Sequence, residues 1–143
     1  MHRLRHVLQS RQVVSAAPDA SVQAVAVRMT EAHVGAIPIL EGERLVGIFS
    51  ERDLMTRVVV PKRDAERTSV ADVMTREVVT ASLEEHVDAC VEKMLRVGCR
   101  HLPVLVGHRV IGVLSMRDLL SDELAEQDQE IRHLRAYLHQ TPL

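Results

Sequence analysis

Apolar and polar residues alternate along the chain in two different periods. Residues 13–16 (VVSA) and 78–81 (VVTA) are short β-branched runs and read as strands. Each is followed by apolar positions at i, i+3, i+4 and i+7: Val22, Val25, Ala26 and Met29 in one place, Val87, Cys90, Val91 and Met94 in the other. That spacing predicts a helix with one buried face. AIPIL and RLVGIF around Gly42, and HLPVL and RVIGVL around Gly107, are paired apolar runs joined by a short Gly-bearing loop, which predicts two hairpins. Pro38 and Pro103 are expected where no ladder donor is required. Ser50 and Ser115 then open a second helix, with Leu54 and Leu119 as its first apolar residues.

The elements recur because the sequence does. A shift of 65 aligns residues 13–54 with 78–119 without a gap, and Met29/Met94, Pro38/Pro103, Gly47/Gly112, Ser50/Ser115, Arg52/Arg117 and Asp53/Asp118 are identical pairs. Each unit is predicted as β-α-β-β-α. A unit of about 50 residues cannot bury enough apolar surface to stand alone. The fold class expected is therefore α/β (α+β): two units packed sheet to sheet about a pseudo-two-fold axis, with two related clefts and a C-terminal helix.

The boundaries follow from the same pattern. The first unit takes residues 1–60, a polar linker containing KRDAER takes 61–69, the second unit takes 70–121, and an amphipathic helix and tail take 122–143. Residues 70–75 (VADVMT) read as a short helix leading into the second unit. In the tail, Leu120, Leu124, Ile131, Leu134 and Leu138 follow a heptad-like spacing, with Asp128 and Arg132 placed for an i, i+4 ion pair. That helix is expected to pack on its own module or on a second subunit.

Composition narrows the class. With 46% hydrophobic and 27% charged residues the chain can build a core, and with one Phe and one Tyr that core is aliphatic. A net charge of -2 gives no field favouring nucleic acid or an anionic membrane, so neither is expected as a partner. MHRLRHVLQSRQVV lacks the apolar run of a signal peptide, and no stretch reaches the ~20 residues of a membrane span. A cytoplasmic protein is expected, with Cys90 and Cys99 as reduced thiols.

Chemistry concentrates where strand meets helix. SERD and SMRD both fit a capping box, with Ser at the N-cap and an acid at N3. Capping alone requires neither the Gly three residues before Ser nor the Arg. A helix N-terminus also receives anions, and a carboxylate can accept both hydroxyls of a vicinal diol. The trio of Ser, Arg and Asp thus suits a nucleotide's phosphate and ribose as well as a cap. No phosphate loop, dinucleotide fingerprint, nucleophile elbow or zinc-protease motif is present. His86 and Cys90 are four residues apart, without a third ligand at matching spacing. Neither a metal site nor catalytic residues are expected.

Paired units of this order, each ending in G-h-h-S-x-R-D-L where h is apolar, resemble the cystathionine-β-synthase (CBS) domain pair, or Bateman module, over about residues 7–120. The resemblance implies clefts for an adenine-containing regulator such as AMP, ADP, ATP, S-adenosylmethionine or NAD, with no catalytic cofactor. It implies one site at Val14, Ser15, Ala36, Ile37, Pro38, Ser50, Arg52 and Asp53. The other would use Val79, Thr80, Arg100, His101, Leu102, Pro103, Ser115, Arg117 and Asp118. The second is favoured, because Arg100 and His101 stand where the first unit has Gly35 and Ala36. The function implied is a stand-alone, non-enzymatic sensor that acts on an unidentified protein in trans or through a homodimer. An interaction module with silent clefts is the alternative.

Overall fold

A computed structural model of the chain describes residues 3–8 and 13–140. The first unit contains helix α2 (Val22–Ala32), the hairpin β1 (Ala36–Glu41) and β2 (Arg44–Ser50), and a short helix α3 (Glu51–Leu54) that continues as a π-helical turn, Met55–Val59. The second repeats it with β3 (Ala81–Ser82), α4 (Val87–Val97), β4 (His101–Val106) and β5 (Arg109–Ser115). The two hairpins match in detail. Both turn at a glycine with positive φ, Gly42 at 65° and Gly107 at 61°, and both shift register at the same repeat position, Ile39/Leu40 and Val104/Leu105.

Helical periodicity explains the two cores. Val22, Val25 and Met29 of α2 lie on Ile37, Ile39 and Phe49 of the first sheet; Val87, Cys90 and Met94 of α4 lie on Leu102, Val104 and Leu114 of the second. Cys90 and Cys99 are free thiols, with Cys90 buried. Burial first, and Glu85 second, push the Cys90 thiol up to about 12. The hairpins meet across the middle through β5, which touches both β1 and β2.

Each core is completed by the segment that precedes the other unit. The first helix, α1 (Leu4–Val7), docks on the second unit: Leu4 is fully buried there, Leu4 N donates to Glu85 O at 2.9 Å, and Arg3 pairs with Glu84 at 3.0 Å. The 3-10 turn Val70–Asp72 does the same for the first unit, burying Val70, Val73 and Met74 in its core. This exchange explains two conserved-offset glycines. A Cβ at Gly47 would overlap Met74 Sδ, and one at Gly112 would overlap Leu8 Cδ1.

Three expectations need correction. The opening strands are nearly absent: Ala16 makes one isolated parallel bridge to Ile39, and the second unit keeps only the two-residue β3. Of residues 70–75 only Val70–Asp72 is helical, as a single 3-10 turn, and the segment plugs Val70, Val73 and Met74 into the first core. The last helix of the second unit and the C-terminal helix are one element, α5 (Met116–Gln140). Its Asp128–Arg132 ion pair forms at 3.1 Å, yet residues 127–139 are exposed along their length, so this part of α5 does not pack on the module. Among the described residues no helix is long and apolar enough to cross a membrane.

Candidate functional site

The two clamps share one local geometry. Ser50 Oγ accepts from Asp53 N at 3.2 Å, and Ser50 N donates to Asp53 Oδ2 at 3.0 Å. Ser115 Oγ accepts from Asp118 N at 3.1 Å, and Ser115 N donates to Asp118 Oδ2 at 3.0 Å. Both capping boxes are formed, and each fixes its Ser and Asp at the mouth of a hollow.

Burial separates them. Asp53 is 6% exposed, and its carboxylate also accepts from Thr75 Oγ1 at 3.2 Å and faces Arg57 Nε at 3.7 Å. Arg57 is held in turn, since its Nη1 donates to the carbonyls of Met74 (2.8 Å) and Val73 (3.3 Å). Asp118 is exposed, and Asp122, an acid, stands at the repeat position of Arg57. The first clamp is therefore engaged by its own protein, while the second opens to solvent.

The hollows are shared between units. A space of about 340 Å³ joins Ser50, Arg52 and Asp53 of the first clamp to Val78, Val79 and residues 97–101 of the second unit. Its repeat partner is formed by two adjoining spaces, about 370 and 860 Å³, which have Val34, Ala36, Val113 and Asp118 in common. There Ser115, Arg117 and Asp118 face Val13, Val14 and residues 33–36 of the first unit. These volumes fall in the range of about 300–1,000 Å³ usual for small-ligand pockets.

A grouping of site residues by repeat is thus not how the chain assembles them. Val14 lies with Asp118, and Val79 with Asp53. Ala36 borders both sides. Ile37 and Leu102 are fully buried core, while Pro38 and Pro103 are buried strand residues whose rings belong to the sheets. Ser15 O accepts from Arg28, and Thr80 O accepts from Lys93 at 3.0 Å; neither residue lines these hollows. The reason for the crossing is the exchange of preceding segments: the start of each entry run, Val13–Val14 or Val78–Val79, borders the other unit's clamp, while its end, Ala16 or Ala81, bridges to its own hairpin.

Arg100 and His101 lie between the two clefts and border both. Their charge therefore does not single out the second. His101 approaches Gly35 closely: a Cβ there would sit 3.2 Å from Nε2. Burial lowers the His101 pKa from its ordinary value, Arg100 adds to this, and Glu51 and Asp118 oppose it. Thr75, Arg57 and Glu51 are site residues that motif reasoning missed. Thr75 had a signal, because the shift of 65 pairs it with Ser10, another hydroxyl; Ser10 lies outside the described residues. No group of three or more His, Cys, Asp or Glu able to hold a metal occurs among the described residues.

The chain belongs to the CBS-domain family: the family model matches residues 4–60 and 70–124. It is 32% identical over 115 residues to the mitochondrial CBS domain-containing protein CBSX3 of Arabidopsis thaliana, covering 77% of this chain and 56% of that one. The chain thus spans little more than half the length of that relative. A putative signal-transduction protein with CBS domains from Burkholderia ambifaria MC40-6 superposes with a TM-score of 0.84 at 29% identity, covering 88% of this chain and 96% of the other. The CBS domain protein PAE2072 of Pyrobaculum aerophilum, solved in complex with AMP, superposes at 0.75 with 28% identity, covering 82% and 89%.

Proposed function

We propose that the protein is a regulatory module that binds an adenine nucleotide or adenosyl ligand in the clefts between its units and acts on a partner protein in trans, as a homodimer and without catalysis of its own. The observation that carries this reading is the exposed Asp118 clamp at the head of α5, facing the apolar Val13–Val14 end of the other unit. Apolar surface there suits a base. Among the described residues Asp118 has no counterpart of the Thr75 and Arg57 contacts that hold Asp53, so it suits the ribose diol, and Ser115, Arg117 and the first amides of α5 suit phosphate. The AMP complex of the Pyrobaculum protein supports the ligand class.

The second cleft remains the favoured one, for a different reason than Arg100 and His101: its carboxylate is open. The test is a thermal-shift panel of AMP, ADP, ATP, S-adenosylmethionine and NADH. A ligand at a hundred times its Kd adds about 2.7 kcal/mol of stability. No shift with any of them removes the sensor and leaves an interaction module, a reading that the exposed apolar stripe of α5 favours.

A further inference from the structure

Beyond Leu124 the helix α5 projects from the module, yet its apolar residues keep a coiled-coil spacing. Leu124, Ile131, Leu134 and Leu138 are 67%, 47%, 62% and 69% exposed. With Leu120 and Gln127 they form one a/d seam: Leu120 (d), Leu124 (a), Gln127 (d), Ile131 (a), Leu134 (d) and Leu138 (a). A solitary helix of this length is marginal in water, and its stability in proteins comes from packing an apolar face. Something must cover the seam.

Charge and register identify the cover. In a parallel, in-register pair every a and d residue meets its own copy. Glu130 (g) then faces Arg135 (e) of the second copy twice over, and the like pair Glu123–Asp128 is softened because Asp128 is held by Arg132 at 3.1 Å. Antiparallel alignment over the same length sets Leu120 against Leu138, Leu124 against Leu134 and Gln127 against Ile131. It also brings Asp128 onto Asp128 and Glu130 onto Glu130 at the axis, which is repulsive. Of the two antiparallel registers one heptad away, one pairs Asp128 with Arg135 but sets Leu138 on Gln127 and leaves Leu120 outside the seam; the other sets Leu134 on Arg117 and Glu123 on Glu130. Of these arrangements only the parallel pair matches every apolar layer from Leu120 to Leu138 while gaining the two Glu130–Arg135 ion pairs, with Gln127 against Gln127 as the single polar layer that fixes register.

We propose that α5 is a self-association element: two copies of this chain pair through residues 120–138 as a parallel two-stranded coiled coil, over roughly 27 Å at 1.5 Å per residue. This gives a contact surface to the homodimer proposed above, and it does not depend on what the clefts bind.

Light scattering after size exclusion, at about 100 µM protein, tests it. The natural chain is expected at about 32 kDa, twice its 16.0 kDa, and the double variant Ile131→Asp/Leu134→Asp at 16.0 kDa with the thermal midpoint of the module unchanged. In a Cys99→Ser background, Gln127→Cys is expected to form an intermolecular disulfide under mild oxidant. A monomeric natural chain overturns both this element and the homodimer. A dimer that survives the double substitution leaves the homodimer standing and removes α5 as its contact. A dimer lost on that substitution, but with Gln127→Cys uncrosslinked, overturns the parallel pairing.

Discussion

Asp53→Asn and Asp118→Asn change the same motif position in the same way, and the structure predicts opposite consequences. At Asp53 the substitution puts an amide NH2 among donors, because Ser50 N, Ser50 Oγ and Thr75 Oγ1 all point at that carboxylate, which is 6% exposed. A buried polar group left without its partner costs about 1–3 kcal/mol. At roughly 4 °C per kcal/mol for a chain of this size, the melting midpoint should fall by about 4–12 °C. At Asp118 water replaces the lost acceptor, so the cost is that of an exposed cap, about 0.5 kcal/mol, or roughly 2 °C. Binding should divide the other way. Hydrogen bonds to a charged group contribute about 1.5–3 kcal/mol, so Asp118→Asn should weaken AMP binding by about 10- to 150-fold. Calorimetric melting of both variants, followed by AMP titration of the natural chain and Asp118→Asn, decides it. Equal melting losses would refute the burial argument; unchanged AMP affinity in Asp118→Asn would refute the clamp.

Three further outcomes follow from packing and titration. Gly47→Ala should cost about 1–3 kcal/mol by overpacking against Met74, and a double-mutant cycle with Met74→Ala should recover much of that loss; additive losses would mean the two do not touch. His101 has a folded pKa below its ordinary 6.5, so above that pH it contributes no proton linkage; as pH falls through 6.5 the unfolded chain binds the proton first and stability drops until the folded pKa is reached. His101→Gln should flatten this acid-side slope in denaturant melts taken between pH 7 and 5, and an unchanged slope would contradict it. Cys90, with its thiol pushed up to about 12 by burial and Glu85, should resist alkylation at pH 8 while the native fold persists, whereas half-buried Cys99 labels first; mass mapping of the labelled chain reads the order.

The repeat at a fixed shift of 65 carried most of the fold, since helical spacing and Gly turns are local signals. Hairpins, α2, α4 and both capping boxes followed from them. What local patterns did not contain was the exchange of segments: Leu4 and Leu8 fall within residues 1–60, assigned to the first unit by chain order, and only tertiary packing puts them on the second unit. The same blindness grouped Val14 with Asp53 and Val79 with Asp118, although each strand end serves the other clamp. The two-residue β3 shows why the entry strands were overread. VVSA and VVTA have β-branched character for lining clefts and filling cores, and a ladder partner is available only at their last residue. The difference between Asp53 and Asp118 was also invisible in two near-identical motifs, because it rests on Arg57 and Thr75, whose repeat positions hold Asp122 and Ser10.

The central claim is that each cleft joins the clamp of one unit to the strand end of the other and receives an adenine ligand there. An amide NMR titration with AMP tests it most directly. The account predicts saturable shifts at Ser115, Arg117 and Asp118 together with Val13, Val14 and Val34, one set drawn from both units. Shifts confined to a single unit, or none at saturating AMP, would contradict it.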